Sequence, residues 1–163
     1  MARLSRFVPV FLFLALAAAG AAPAAAQTTM TEIEALSFGL FSLRDNDAPH
    51  ELTVYASDGS FTAAQAFAVA TPAPQRGEYL LEGFNPGEEI VVTIEPGGLA
   101  FGGAGADIFT VTNYTVEPSP VIAGAGGSVT IYVGATLRTS GNGVVGDTGA
   151  YSGELDITFD WVP

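Results

Sequence analysis

Near the end of the chain Leu155, Ile157, Phe159 and Trp161 alternate with Asp156, Thr158 and Asp160. A period of two sends one row of side chains to a core and the other to water, which a helix cannot do. The segment is therefore expected to be a half-buried strand with all four apolar residues on one buried row. Short runs rich in β-branched and aromatic residues recur at 33–41, 52–56, 79–84, 89–95, 108–117 and 129–138, and each reads as a strand. Val129, Ile131 and Val133 are the expected neighbours of the terminal row. Residues 62–70 are ambiguous: their Ala content permits a helical turn, but Pro72 and Pro74 stop it, and Phe67 and Val69 suit a strand. They are read as strand.

The breaks between these runs carry turn chemistry: Asp58-Gly59, Asn85-Pro86-Gly87, Pro96-Gly97-Gly98 and Asn142-Gly143. Gly and Asn accept positive φ and Pro presets the first turn position, so antiparallel connections are expected. About seven to nine short strands in a chain of this length suit an all-β, antiparallel two-sheet sandwich better than a closed barrel. The Gly-rich stretches at 102–106 and 123–127 are expected loops, and no fixed-period repeat is present.

Met1 to Ala26 has the order of a secretory signal peptide. Arg3 and Arg6 precede an apolar run over 7–16, and small residues end in Ala24-Ala25-Ala26. The run is too short for a membrane span of about 20 residues, so no stable anchor is expected, and without Cys no lipid can be attached at the cleavage site. The expected organisation is a signal peptide, 1–26, followed by one domain, 27–163, placed in the periplasm or at the cell surface. All 17 acidic residues lie in that domain, with Arg44, Arg76 and Arg138 as its only basic residues. Long-range repulsion disfavours nucleic acid or an anionic membrane as partner. The absence of Cys also removes disulfides, thiolate metal sites and thiol nucleophiles, so stability has to come from packing.

Several segments resemble chemical motifs, and each has a plainer reading. Gly102-Gly103-Ala104-Gly105-Ala106-Asp107-Ile108-Phe109-Thr110 matches the calcium nonapeptide GGxGxDxUx once. Calcium in β-helices sits between stacked copies, so a single copy supplies too few oxygens, and a Gly-rich loop leading into a strand is expected. Asp45-Asn46-Asp47 with Glu51 gathers oxygen-bearing side chains without the Gly of an EF-hand turn, and is read as a solvated acidic turn. His50 is the only His, lies between Pro49 and Glu51, and has no GxSxG elbow to serve; it is read as a surface residue. Carboxylate pairs for glycoside hydrolysis are arithmetically possible, but the few aromatics suit a core better than a sugar cleft. Asn113-Tyr114-Thr115 fits a glycosylation sequon, given no weight beside a bacterial-type signal. No catalytic, cofactor-binding or metal residue is assigned, and no cofactor is expected.

Four landmarks occur in order: Leu36-Ser37-Phe38-Gly39, Gly77-Glu78-Tyr79 through Gly83, Val133-Gly134-Ala135-Thr136-Leu137, and Gly149-Ala150-Tyr151-Ser152-Gly153. Together they resemble a family of secreted proteobacterial proteins known as a domain of unknown function, similar to subunits of chaperone–usher fimbriae and spore-coat-U-type pilins. The resemblance implies an immunoglobulin-like, pilin-like sandwich of structural or adhesive type, without catalytic residues. Gly39 and Gly134 are expected where strands bend or a second backbone approaches, with Leu36, Phe38, Leu137 and Tyr151 packed at the sandwich ends. Pilins often end on a tyrosine-bearing strand, where this chain has Phe159 and Trp161. In fimbriae a neighbour's N-terminal segment completes the sandwich. Here 27–32 offers only Met30 as a large apolar residue, so a self-complete monomer is expected ahead of self-assembly or other protein partners. A soluble periplasmic or extracellular binding module, calcium-dependent if the nonapeptide holds an ion, is the alternative.

Overall fold

The computed structural model describes residues 27–95, 108–145 and 155–161. Among them every helix or strand is a strand. In chain order these are β1 (Thr29–Glu34), β2 (Phe41–Leu43), β3 (Glu51–Val54), β4 (Phe61–Ala63), β5 (Phe67–Val69), β6 (Gly77–Glu82), β7 (Glu89–Glu95), β8 (Phe109–Glu117), β9 (Val121–Ile122), β10 (Ser128–Thr139) and β11 (Asp156–Trp161). All pairings are antiparallel. The expected all-β, antiparallel sandwich is thus present, with eleven strands where seven to nine were expected. The excess lies in β2, β4, β5 and β9, each of two or three residues and too short to show a period.

The fold is organised on β10, twelve residues long. Tyr132 and Val133 pair with both β6 and β8, while Thr136, Leu137 and Arg138 pair with both β3 and β8. β8 therefore runs along one side of β10, and β6 and β3 follow each other along the opposite side. Gly134 sits where β6 gives way to β3, and a Cβ there would strike the Val54 carbonyl oxygen and the Ala56 nitrogen. Only a residue without a side chain allows that approach. β1 closes the sheet beyond β6, and β4 beyond β3.

Two smaller sheets, β11-β7-β9 and β2-β5, give the large sheet its cores. In the first, Tyr79 and Leu81 of β6 and Ile131 and Val133 of β10 bury with Phe84, Ile90 and Val121. In the second, Leu52, Val54, Phe67, Phe109 and Leu137 pack together, with Phe41 edge-on to Phe67 and Phe109 at 5.3 and 5.7 Å. Leu36 touches both clusters. Leu52, Leu81 and Ile131 are fully enclosed, each stabilising the fold by about 1.5–3 kcal/mol relative to exposure.

Several expectations change. Residues 62–70 form two strands rather than one: the chain turns where Phe67 N–H donates to the Ala64 carbonyl, so β4 and β5 join different sheets. The run at 33–41 is likewise split. β1 begins four residues earlier, at Thr29, and Gly39 bends the chain at φ +68° before β2, its Cα close against the Pro72–Pro74 backbone as expected. The Asn85-Pro86-Gly87 turn carries the chain from one sheet to the other, so β6 and β7 are not paired.

The terminal strand β11 pairs with β7 instead of β10. Val129, Ile131 and Val133 meet it across the core, where Leu155, Ile157 and Phe159 pack partly buried against the first cluster and Phe159 lies edge-on to Phe84 at 5.8 Å. Trp161 continues this row opposite Ile90 yet is 53 % exposed. β11 is paired with β7 alone among the described residues, and at its end the opposing sheet does not enclose the indole. Tyr132, which pairs with both β6 and β8, also carries the Arg76 guanidinium over its ring at 3.6 Å. Gly149, Tyr151 and Gly153 lie outside the described residues.

Candidate functional site

The sequence candidates Asp45, Asn46, Asp47, His50 and Glu51 fall on and just beyond the loop joining β2 to β3, and the structure sets this loop against residues 140–145 after β10. The two strands fix the approach: Thr139 N–H donates to the His50 carbonyl at 2.9 Å, and His50 N–H donates to Thr139 Oγ1 at 2.9 Å. Asp45 Oδ1 accepts Asp47 N–H at 2.9 Å, turning the chain so that Asp45 and Asp47 face solvent and Asn46 points inward.

Asn46 is 1 % exposed, and its carboxamide is saturated. Nδ2 donates to Val144 O at 2.6 Å and to Asn142 Oδ1 at 3.0 Å, with Ser140 Oγ at 3.4 Å. Oδ1 accepts Gly141 N–H at 2.9 Å, and the Asn46 main-chain carbonyl accepts Gly143 N–H at 2.8 Å. A buried amide with every group engaged holds two loops together and offers no atom to a ligand. Sequence reading placed Asn46 on a solvated acidic turn; its inward side chain is a correction. A buried amide next to two carboxylates carries no periodic signal, and its partners lie in a distant segment.

His50 is also a correction to the surface reading, with its side chain 23 % exposed. Nε2 is buried without a hydrogen-bond partner and stands 3.7 Å from Asp45 Oδ2, beyond hydrogen-bond reach. Among the described residues no hydroxyl is hydrogen-bonded to Nε2, the Thr139 hydroxyl being held by the His50 main-chain N–H instead, so no nucleophile–base pair of a hydrolytic triad is formed there. Among the described residues no group of three or more His, Asp or Glu side chains is placed to hold a metal ion. Of the nonapeptide match, residues 102–107 lie outside the described residues, while Ile108 is buried and Phe109 and Thr110 open β8. Asn113 lies on β8 at φ +52°, beside the register shift opposite Gly134 and Thr136, and is exposed.

A second location, missed from sequence, is a cleft of about 250 Å³ between β7 and the segment joining β8 to β9, lined by Val91, Val92, Val116, Pro118 and Pro120 among others. β9 pairs with β7 only at Glu89 and Ile90, since Pro118 and Pro120 have no N–H to extend the ladder. The cleft is shallow and open, and Glu89 and Ser119 are the only polar side chains that line it.

Fold and sites together define an all-β sandwich whose gathered polar residues serve loop-to-loop hydrogen bonding. Residues 28–161 match the family described as Domain of unknown function (DUF4402), and the chain belongs to it. No curated protein and no solved structure matches the chain.

Proposed function

We propose that this protein is a secreted, non-enzymatic β-sandwich with a structural or surface role, akin to a fimbrial-type subunit but complete in itself as a monomer. The observation that carries the proposal is the place of β1. Thr29–Glu34, where a donor segment would be sought, pairs along its length with β6 of the same chain. A segment engaged in its own sheet is not free to complete a neighbour's. The engaged Asn46 amide supports the non-enzymatic part, because the one deeply buried polar side chain of the cluster is used in holding loops. The acidic balance, 17 acids against five bases over the whole chain, favours a soluble particle in the periplasm or at the cell surface over one bound to nucleic acid or membrane.

Size-exclusion chromatography of residues 27–163 is expected to give one monomeric peak, and a panel of hydrolase substrates is expected to give no turnover. SDS-resistant ladders that vanish on deletion of 27–32 would overturn the monomer, and turnover lost in His50→Ala would overturn the non-enzymatic reading. The complete nonapeptide match favours one second reading, a calcium-dependent binding module. Titration calorimetry separates the two, since a micromolar calcium site abolished by Asp107→Ala would replace the structural role with a binding one.

A further inference from the structure

Asn142-Gly143 is the chain's one Asn-Gly pair, and it lies exposed on the loop that Asn46 holds. An Asn followed by a residue without a side chain can react with its own backbone. The Gly143 nitrogen loses its proton to solvent base and attacks Asn142 Cγ; the bond from Cγ to the side-chain nitrogen breaks, and ammonia leaves a cyclic imide. Water then opens either carbonyl of the imide, giving Asp or an isoaspartyl linkage. One water is consumed and one ammonia released, and nothing is oxidised or reduced.

Both reacting groups are held by the same buried residue. The nucleophile, Gly143 N–H, donates to the Asn46 carbonyl at 2.8 Å. The electrophile, the Asn142 carboxamide, accepts from Asn46 Nδ2 at 3.0 Å and from Val144 N–H at 2.9 Å. The two donors on Asn142 Oδ1 polarise the carboxamide toward attack, but they are of no use while the attacking nitrogen is tied to Asn46. Loss of the Gly143 hydrogen bond is therefore the step that controls reaction. We propose that Asn142 is a latent deamidation site that Asn46 holds shut. Reaction through the isoaspartyl route adds a methylene to the main chain between Asn142 and Gly143. That register cannot keep the bonds from Gly143 and from Val144 together, so the loop, once modified, no longer closes on Asn46.

The test ages residues 27–163 at mildly alkaline pH and follows the peptide containing Asn142 by mass and by enzymatic isoaspartate labelling. Folded protein is expected to retain Asn142 while the same chain in urea converts at least about tenfold faster, a factor equal to the loss of one hydrogen bond. Asn46→Asp keeps the acceptor for Gly141 but removes the Nδ2 bonds to Ser140, Asn142 and Val144, so the loop is freer to leave the Asn46 main-chain carbonyl that ties down Gly143; folded by circular dichroism, it is expected to convert faster than wild type. Should that variant not fold, hydrogen exchange at the Gly143 amide of the wild type decides, with strong protection expected. Equal rates in the folded and urea-unfolded wild type, a folded Asn46→Asp that ages like wild type, or a Gly143 amide exchanging as in an unstructured peptide would each overturn the proposal.

Discussion

Asn46 Oδ1 accepts the main-chain N–H of Gly141 at 2.9 Å across 95 residues of chain, and this bond with its neighbours joins the β2–β3 loop to the end of β10. Asn46→Ala takes from the Gly141 N–H and the Val144 carbonyl the partner they have in the buried Asn46 side chain, and removes one of the two donors on Asn142 Oδ1, which keeps the Val144 N–H. Each unsatisfied group costs about 1–3 kcal/mol, and water entering the opened loop offsets part of the sum. The expected loss is about 2–4 kcal/mol in chemical denaturation, with Asp45→Ala on the exposed side of the same turn changing the midpoint little.

The terminal row separates burial from pattern. Leu81→Ala, at a fully enclosed position, is expected to cost about 2–5 kcal/mol. Trp161→Ala removes a larger side chain that is 53 % exposed and is expected to cost about 1 kcal/mol or less. Native-state tryptophan emission from this single-Trp chain is expected at the red-shifted position of a hydrated indole.

Tyr79 reports on β1. Burial raises its phenol above the ordinary 10.0, and the Glu32 carboxylate opposite it on β1 raises it further. A folded pKa raised above the unfolded one contributes stability that is complete below about pH 10 and is lost as pH rises through the folded value. Glu32→Gln is expected to bring the Tyr79 transition down in an ultraviolet titration and to flatten the alkaline loss of stability. An unchanged transition would mean that Glu32 does not face Tyr79.

The long strands were legible because their physics is local. β11 alternates apolar and polar residues over all six positions, and β6 and β7, richer in apolar residues, alternate in burial along their length; the breaks at Gly59, Gly87 and Gly143 adopt the positive φ that their residue types allow. What was not legible is decided at distance. Residues 29–32 of β1 are not legible as strand, since all six residues of β1 are exposed and the pairing that holds it is with β6, far along the chain. The partner of β11 depends on the Asn85–Gly87 turn crossing between sheets, which no periodicity encodes. Asn46 was seen as one of three adjacent polar residues, and only its juxtaposition with Ser140, Gly141 and Asn142 distinguishes it from Asp45 and Asp47.

The central claim is that β1 belongs to its own chain, and a chain without cysteine allows a direct measurement of it. Thr31 and Leu80 are register partners in β1 and β6, and opposed residues of antiparallel strands lie about 4.5–5.5 Å apart at Cα, within disulfide range. The double variant Thr31→Cys, Leu80→Cys is oxidised as the mature protein and run on a non-reducing gel. The expected result is one band at monomer mass, with both thiols consumed and a mobility that shifts on reduction. Disulfide-linked dimers and higher ladders, with no internally bridged monomer, would show that β1 pairs with another chain and would contradict the account.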